Sequence, residues 1–330
     1  MESVRVGIIG AGGMGRAHLA AFSANRNARP VWITDADGEL AARAAAEHAL
    51  SGHGSDYLRL LDESPVDAVS ICLPTFLHAE AVEASAAAGA HILLEKPIAL
   101  TLRDADRVIS AAERAGIKLM IAFYRRFDQG HLAARELITS GRLGDAVIWH
   151  SAHIGGARKG RGWVLDPDKG GGYLLEAGIH HLDFALWMWG EPEEIRAVVG
   201  RMAPGSRVPD TLHAVLCFAG GHRMVLDWCY GGPAGMGLLH MTEWVIGPKG
   251  LAQVDPVPGP LRYFPMAGEP ETLAIGGPDA YQNEIDHFVE CVLEGRTPSV
   301  TGVDGRRALE LHLALLRAGG NDEGCHPPAA

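Results

Sequence analysis

The stretch VRVGII, residues 4–9, runs straight into GAGGMG and then into RAHLAAFSANR. A strand-type run, a glycine loop and a helical pattern in that order leave few folds open. Gly10, Gly12 and Gly15 satisfy G-x-G-x-x-G, and Asp35 follows Gly15 by 20 residues, at the end of the strand-like PVWITD. Glycines there let backbone N–H groups approach a pyrophosphate at the positive end of a helix. An acid at position 35 suits a ribose 2′-hydroxyl and repels a 2′-phosphate. The pattern predicts NAD in preference to NADP, with Gly10, Gly12, Gly13, Met14, Gly15 and Asp35 as cofactor-binding residues. With 42 glycines in the chain, the motif alone carries little; its setting between strand and helix gives it weight. The competing reading is a tight strand–helix turn with Asp35 solvated.

The alternation continues. Strand-like runs at 66–74, 90–97 and 118–123 alternate with helical patterns at 38–50, 78–89 and 101–116. Gly89 suits a left-handed helix end and Thr101 an N-cap. Such alternation implies a parallel sheet covered on both faces. Beyond residue 123 the rhythm changes. Helical DQGHLAARELITSGRLG and strand-like DAVIWHSAHIG are followed by a glycine segment with a helix to about Trp189. EIRAVVGRM, LHAVLCFA, HRMVLDWCYG and HMTEWVIG then read as strands, with FAGGHR and IGPKGL as hairpin turns. Two amphipathic helices, NEIDHFVECVLEG and DGRRALELHLALLRAG, come last. The fold class expected is α/β: a Rossmann dinucleotide-binding domain over 1–122, an α+β domain with a large open, mostly antiparallel sheet over 123–318, and a tail over 319–330.

At 330 residues the chain is too long for one ordinary core. A net charge of −11 without a Lys/Arg stripe argues against a nucleic acid or an anionic membrane surface as partner. The start has no signal-peptide pattern, and no apolar run reaches a membrane span. Cys72, Cys217, Cys229, Cys291 and Cys325 are odd in number and form no C-x-x-C, which reads as reduced thiols in a cytoplasmic protein.

Two further stretches carry chemistry. In LLEKPIAL, Glu95 and Lys96 fall just past a buried strand, where open parallel sheets bind their ligands, and Pro97 keeps Lys96 from helical angles. A lysine there can stabilise negative charge on a substrate oxygen; a surface lysine paired with Glu95 is the alternative. In GGGYLLEAGIHHLD, residues 170–183, a helix after the glycines would put Glu176 and His180 one turn apart on one face, with Asp183 following. That trio is open to three readings: a metal site, an acid/base pair or a polar core contact. His181 reads as packing.

GIIGAGGMG, TDAD, ICLPTFLHAEAVEASAAAGAHILLEKPIAL, AFYRRFD and GGGYLLEAGIHHLDFAL together resemble the glucose-fructose oxidoreductase/inositol dehydrogenase/rhizopine catabolism (Gfo/Idh/MocA) family. RRFDQGHLAARELITSGRLG and HSAH look most like inositol dehydrogenases within it. The resemblance spans nearly the whole chain. It implies an NAD(P)-dependent oxidoreductase acting on a sugar, inositol or amino-sugar, and a homodimer or homotetramer formed through the C-terminal sheet; no metal is expected, because Lys96 would repel a cation beside Glu176, His180 and Asp183. It also implies Lys96 and His180 as catalytic residues, with Glu176 where the family usually has Asp. Asp183, Arg125 and His153 match substrate-binding positions, and Leu73, Pro74, Thr75 and His78 fall beside the cofactor, as does Glu95 with Lys96. Gly155 and Gly156 replace a polar pocket residue of inositol dehydrogenases. Arg158, Lys159 and Arg161 read as a solvated loop or as an anion-binding cluster. An NAD-cycling glycosidase and a non-catalytic dinucleotide or sugar sensor are the competing functions.

Overall fold

The computed structural model describes residues 3–156, 162–233, 235–254, 261–273 and 279–320. Arg158, Lys159 and Arg161 lie outside them. The chain forms two compact units: Met1–Tyr124 with Pro278–Leu309, and Arg125–Gly277 with Glu310–Ala330. Among the described residues no helix is long and apolar enough to cross a membrane.

The first unit alternates as the sequence implies: β1 (Val4–Ile9), α1 (Gly13–Ala24), β2 (Ala28–Thr34), α2 (Gly38–Glu47), β3 (Gly52–Gly54), α3 (Tyr57–Glu63), β4 (Ala68–Ile71), α4 (His78–Ala87), β5 (His91–Leu94), α5 (Leu102–Ala115) and β6 (Leu119–Ile121). The strand order is β3-β2-β1-β4-β5-β6, all parallel. This is the doubly wound dinucleotide-binding order. Ile8, Ile9, Val69, Ile71, Ile92 and Leu93 are fully buried, as continuous apolar strands between two helical layers must be. Thr101 caps α5 by accepting from the Asp104 N–H, and Gly89 sits at φ 76°. The sequence reading passed over β3 and α3. The three residues of β3, Gly-His-Gly, carry no apolar run, and the strand forms because Gly52 fits beside Trp32.

The second unit contains α6 (Gln129–Thr139), β7 (Ile148–Gly156), α7 (Tyr173–Glu176), α8 (Ile179–Trp189), β8 (Glu194–Gly200), β9 (Thr211–Cys217), β10 (Arg223–Gly232), β11 (Leu238–Gly247), β12 (Gly250–Val254), β13 (Leu261–Pro265) and β14 (Glu271–Leu273). Eight strands lie in the order β14-β13-β12-β11-β7-β10-β9-β8. Every pairing is antiparallel except β7 with β10. Both hairpin turns read from the sequence join antiparallel neighbours, β9 to β10 and β11 to β12.

The last helices, α9 (Ala280–Glu294) and α10 (Gly302–Gly320), depart from a contiguous second domain. The first unit takes α9 and the start of α10. Buried Ile285, Phe288 and Val289 give α9 its apolar face, and Phe288 meets Phe22 of α1 edge-to-face at 6.3 Å. A hydrophobic stripe in sequence shows that a helix packs, not against which core.

Candidate active-site residues and family

In the glycine loop the residues divide by role. A Cβ on Gly10, which sits at φ +103°, would lie 2.4 Å from the Cys72 carbonyl oxygen; one on Gly15 would lie 1.7 Å from the Gly10 carbonyl oxygen. Those two glycines let β1, the loop and α1 close up. Gly12 and Gly13 instead face open space within 4 Å, which is room for a phosphate against backbone. Gly12 caps α1 without a side-chain bond, and the first turn holds no acid, so the helix's own N–H groups and positive end are free of side-chain competition. Met14 is half-buried in that turn. Asp35 Oδ2 accepts the Ala11 N–H at 2.8 Å, and Oδ1 accepts the Asp37 N–H at 3.0 Å. The acid is thereby fixed at the loop's edge. These residues fit a dinucleotide.

Past β4 and β5 the named residues serve two purposes. Leu73 and Pro74 are half-buried and Thr75 is buried. The His78 ring is fully buried, with Nδ1 2.9 Å from the Pro97 oxygen and Nε2 2.9 Å from the Leu73 oxygen. Burial lowers its pKa despite the two carbonyls. His78 therefore ties the segment after β4 to the segment after β5 and directs both nitrogens to backbone. Glu95 is also turned inward: Oε2 accepts the Lys96 backbone N–H at 3.0 Å, and Oε1 lies 3.3 Å from His18 Nε2. Burial opposes a charged imidazole at His18, but Cys72 and Glu95 outweigh it and raise its pKa well above the ordinary value. The 3.3 Å contact lacks hydrogen-bond alignment at His18 Nε2 and holds by charge. Lys96 follows at the end of this buried segment, half-buried, before a cis peptide to Pro97.

In the second unit the glycine segment does not give one helix. The α7 helix ends at Glu176, and α8 begins at Ile179 after Gly178. A Cβ on Gly178 would meet Trp228 Cζ3 at 2.3 Å and the Leu174 oxygen at 2.4 Å, so the turn is pressed onto β10. The argument that places Glu176 and His180 on one face of a single helix is therefore corrected: Glu176 is the half-buried last residue of α7, and His180 is buried in the first turn of α8. The three-ligand spacing through Asp183 fails with it. Asp183 is completely buried, and both its oxygens accept from Arg126, at 2.6 and 2.9 Å.

The other expected residues converge on a carboxylate the sequence reading missed. Glu243 of β11 faces inward, opposite Ser151 of β7 and Val254 of β12. Its Oε1 accepts from Arg125 Nη1 at 2.7 Å and from His181 Nε2 at 3.2 Å; Oε2 accepts from Trp149 Nε1 at 3.0 Å. Arg125 Nη1 also donates to His131 Nε2 at 2.8 Å, and His131 Nδ1 donates to Asp128, the N-cap of α6. Burial opposes the Glu243 charge, but Arg125 and His181 outweigh it and hold its pKa well below the carboxylate range. His153 accepts or donates at Nδ1 with the Tyr230 hydroxyl at 3.1 Å and stands edge-on to His181, with ring centroids 4.6 Å apart. Burial, with the neighbouring imidazole His181, pushes His153 down to about 2; burial and Arg125 push His181 down to about 4. Alternation in MTEWV, which puts Glu243 on the face of Val245, was the signal for it. His181 thus does more than pack.

His153, His181 and Glu243 each offer a ligand atom within 4.8 Å of the others. A cation there would lie beside the Arg125 guanidinium, which already pairs with the carboxylate.

Comparison with known proteins agrees with the geometry. Residues 4–123 match the oxidoreductase family with NAD-binding Rossmann fold (GFO_IDH_MocA), and residues 131–253 match the GFO/IDH/MocA C-terminal domain. Inositol 2-dehydrogenase 2 of Saccharopolyspora erythraea is 32% identical, over 96% of this chain and 93% of its own. Inositol 2-dehydrogenase of Rhizobium meliloti is 31% identical, over 96% and 97%. The structure of an aldose-aldose oxidoreductase from Caulobacter crescentus, complexed with glycerol, superposes with a TM-score of 0.85 at 27% identity, covering 97% of this chain and 98% of that one. The chain belongs to the GFO/IDH/MocA oxidoreductase family and carries its NAD-binding Rossmann domain.

Proposed function

We propose that this enzyme is an NAD-preferring dehydrogenase of a sugar, inositol or amino sugar, acting on a ring hydroxyl or ketone. The observation that carries the cofactor choice is Asp35, fixed by the Ala11 N–H at 2.8 Å beside an open glycine cradle. A fixed acid accepts from a 2′-hydroxyl and repels a 2′-phosphate. The substrate class is supported by the inositol dehydrogenases that are similar over nearly the full chain.

A bound nicotinamide supplies hydride chemistry. His180 takes the proton of the substrate hydroxyl, as an imidazole near neutrality can. Lys96 stabilises the negative charge left on the oxygen. Glu176 or Asp183 orients the imidazole and supports its charged form; Asp183 is itself held through both oxygens by Arg126. A homodimer or homotetramer through the second unit's sheet is part of the proposal; exposed Ile154, Leu239 and Ile246 on β7 and β11 support it.

The test follows nicotinamide absorbance with NAD or NADP and a panel of inositols, aldoses and amino sugars, with a chelator present. Reduction of NAD by one compound class is the expected result. A sample that binds NADH yet reduces nothing contradicts the reading and points to a sensor or an NAD-cycling glycosidase.

A further inference from the structure

Cys72 directly follows β4, and its backbone N–H donates to the Ile9 oxygen at the end of β1 at 2.7 Å. In the strand order β3-β2-β1-β4-β5-β6 the winding reverses between β1 and β4. A doubly wound sheet takes its ligand in the crevice outside the carboxyl ends of those two strands. Cys72 therefore stands at the dinucleotide crevice. Its side chain leans toward α1: its Cβ lies 3.6 Å from the place that a Cβ on Gly15 would take.

Two polar side chains meet the sulfur. Cys72 Sγ is 3.6 Å from His18 Nδ1 and 3.5 Å from Ser70 Oγ. The other ring nitrogen of His18 lies 3.3 Å from Glu95 Oε1, and Nδ1 is also 2.8 Å from Ser70 Oγ, so the ring is held from both sides. A nucleophile, an imidazole and an orienting carboxylate in that sequence form the arrangement that activates thiols. Burial opposes charge on His18, but Cys72 and Glu95 outweigh it and raise its pKa well above the ordinary value. A positive imidazole stabilises negative charge on the sulfur beside it. His18 and Ser70 are fully buried and Glu95 is buried, whereas Cys72 is half-buried. Of these four residues, Cys72 is the one that a small solute reaches.

We propose that Cys72 is a modification site: an activated thiol at the cofactor crevice that hydrogen peroxide oxidises and that a bound dinucleotide shields. The thiol proton leaves to water. The sulfur then attacks one peroxide oxygen, the O–O bond breaks, and the departing hydroxide takes up a proton to become water. Sulfur is oxidised to a sulfenic acid and the peroxide is reduced. The added oxygen stands between the ends of β1 and β4 and hinders the pyrophosphate. The proposal uses the NAD-binding domain alone and does not depend on the dehydrogenase reading.

The test treats the reduced, full-length protein with equimolar hydrogen peroxide. Sulfenic acid is trapped with dimedone and assigned to each cysteine by mass spectrometry, and NADH affinity is measured by fluorescence. Cys72 should oxidise about tenfold or more faster than Cys217 and Cys229, which are half-buried as well. Saturating NADH should slow its oxidation by about tenfold or more, and oxidised protein should bind NADH about tenfold or more weakly. Cys72→Ala, given the same peroxide, should keep the NADH affinity of its own untreated sample. His18→Asn should bring the Cys72 rate down toward that of Cys217; Glu95→Gln, which removes the charge behind the ring, serves if His18→Asn does not fold.

Oxidation of Cys72 no faster than that of Cys217 and Cys229 overturns the proposal and leaves the sulfur as packing. So does an unchanged NADH affinity after Cys72 is oxidised, or a Cys72→Ala protein that loses affinity as the wild type does. A wild-type rate at Cys72 in folded His18→Asn or Glu95→Gln overturns the activation by the imidazole. An untreated protein that does not bind NADH removes the crevice assignment and this proposal with it. Absence of turnover with every sugar is a different outcome, which removes the dehydrogenase reading alone.

Discussion

Arg126 grips Asp183 fork to fork, Nη2 to Oδ1 at 2.6 Å and Nε to Oδ2 at 2.9 Å, with both side chains buried. The carboxylate that the sequence suggested for substrate hydroxyls also ties the segment before α6 to helix α8. Removing one member of a buried pair strands the other charge, at about 3–5 kcal/mol. Asp183→Ala is expected to lose stability on that scale in denaturant unfolding. A variant with wild-type stability and only a raised KM would return Asp183 to the substrate.

Asp35 is held by the loop backbone, and the proposed function gives it the ribose as well. Asp35→Ser should weaken NADH binding about tenfold, the equivalent of one good hydrogen bond to a charged group. It should also shift the NAD/NADP ratio toward NADP. Cofactor titrations by nicotinamide fluorescence check both, and an unchanged ratio removes Asp35 from cofactor selection.

Lys96 and His180 are assigned to charge and proton. Lys96→Ala and His180→Ala should each lower kcat by about 10²–10⁴-fold, the usual range for such a group. NADH affinity should stay near wild type. Full turnover in either variant ends its assignment.

Buried neutral histidines make the second unit sensitive to acid. His181 and His312 lie at about 4 and His153 at about 2, all pushed down first by burial, whereas the unfolded imidazole titrates near 6.5. The unfolded chain binds more protons below pH 6.5, so stability falls as pH drops from there toward 4. The slope is about 1.4 kcal/mol per pH unit for each such histidine. Glu243 and Asp128, held below the carboxylate range, add to the loss under about pH 4.5. His18 in the first unit is raised and acts oppositely: its stabilisation is complete below pH 6.5 and is lost as pH climbs through its folded value. Urea melts between pH 4 and 7 should show the fall, and a flat profile contradicts the buried neutral state of these rings.

Gly178 admits Trp228 where any side chain would collide. Gly178→Ala should destabilise by about 1–3 kcal/mol, the range for forcing atoms into a packed core. Because the turn sets where His180 leaves the backbone, kcat should fall as well. Thermal unfolding with turnover measurements tests the pair of effects.

The sequence by itself determined whatever is local or periodic. Alternating apolar runs and helical stripes define the parallel sheet, since a strand buried on both faces must be apolar throughout. The spacing of Gly10, Gly12, Gly15 and Asp35 is legible because strand, loop and helix are neighbours along the chain. The order of motifs around Lys96 and His180 is likewise a local signal. Only tertiary structure decided that α9 packs on α1, that Gly178 interrupts the helix carrying His180, and that Asp183 is bound to Arg126. Glu243 makes the point most fully. It meets Arg125, 118 residues away, and Trp149, 94 residues away. A charge inside a core is stable only when matched, and the match is made by whichever strands the sheet brings together, which no local pattern records.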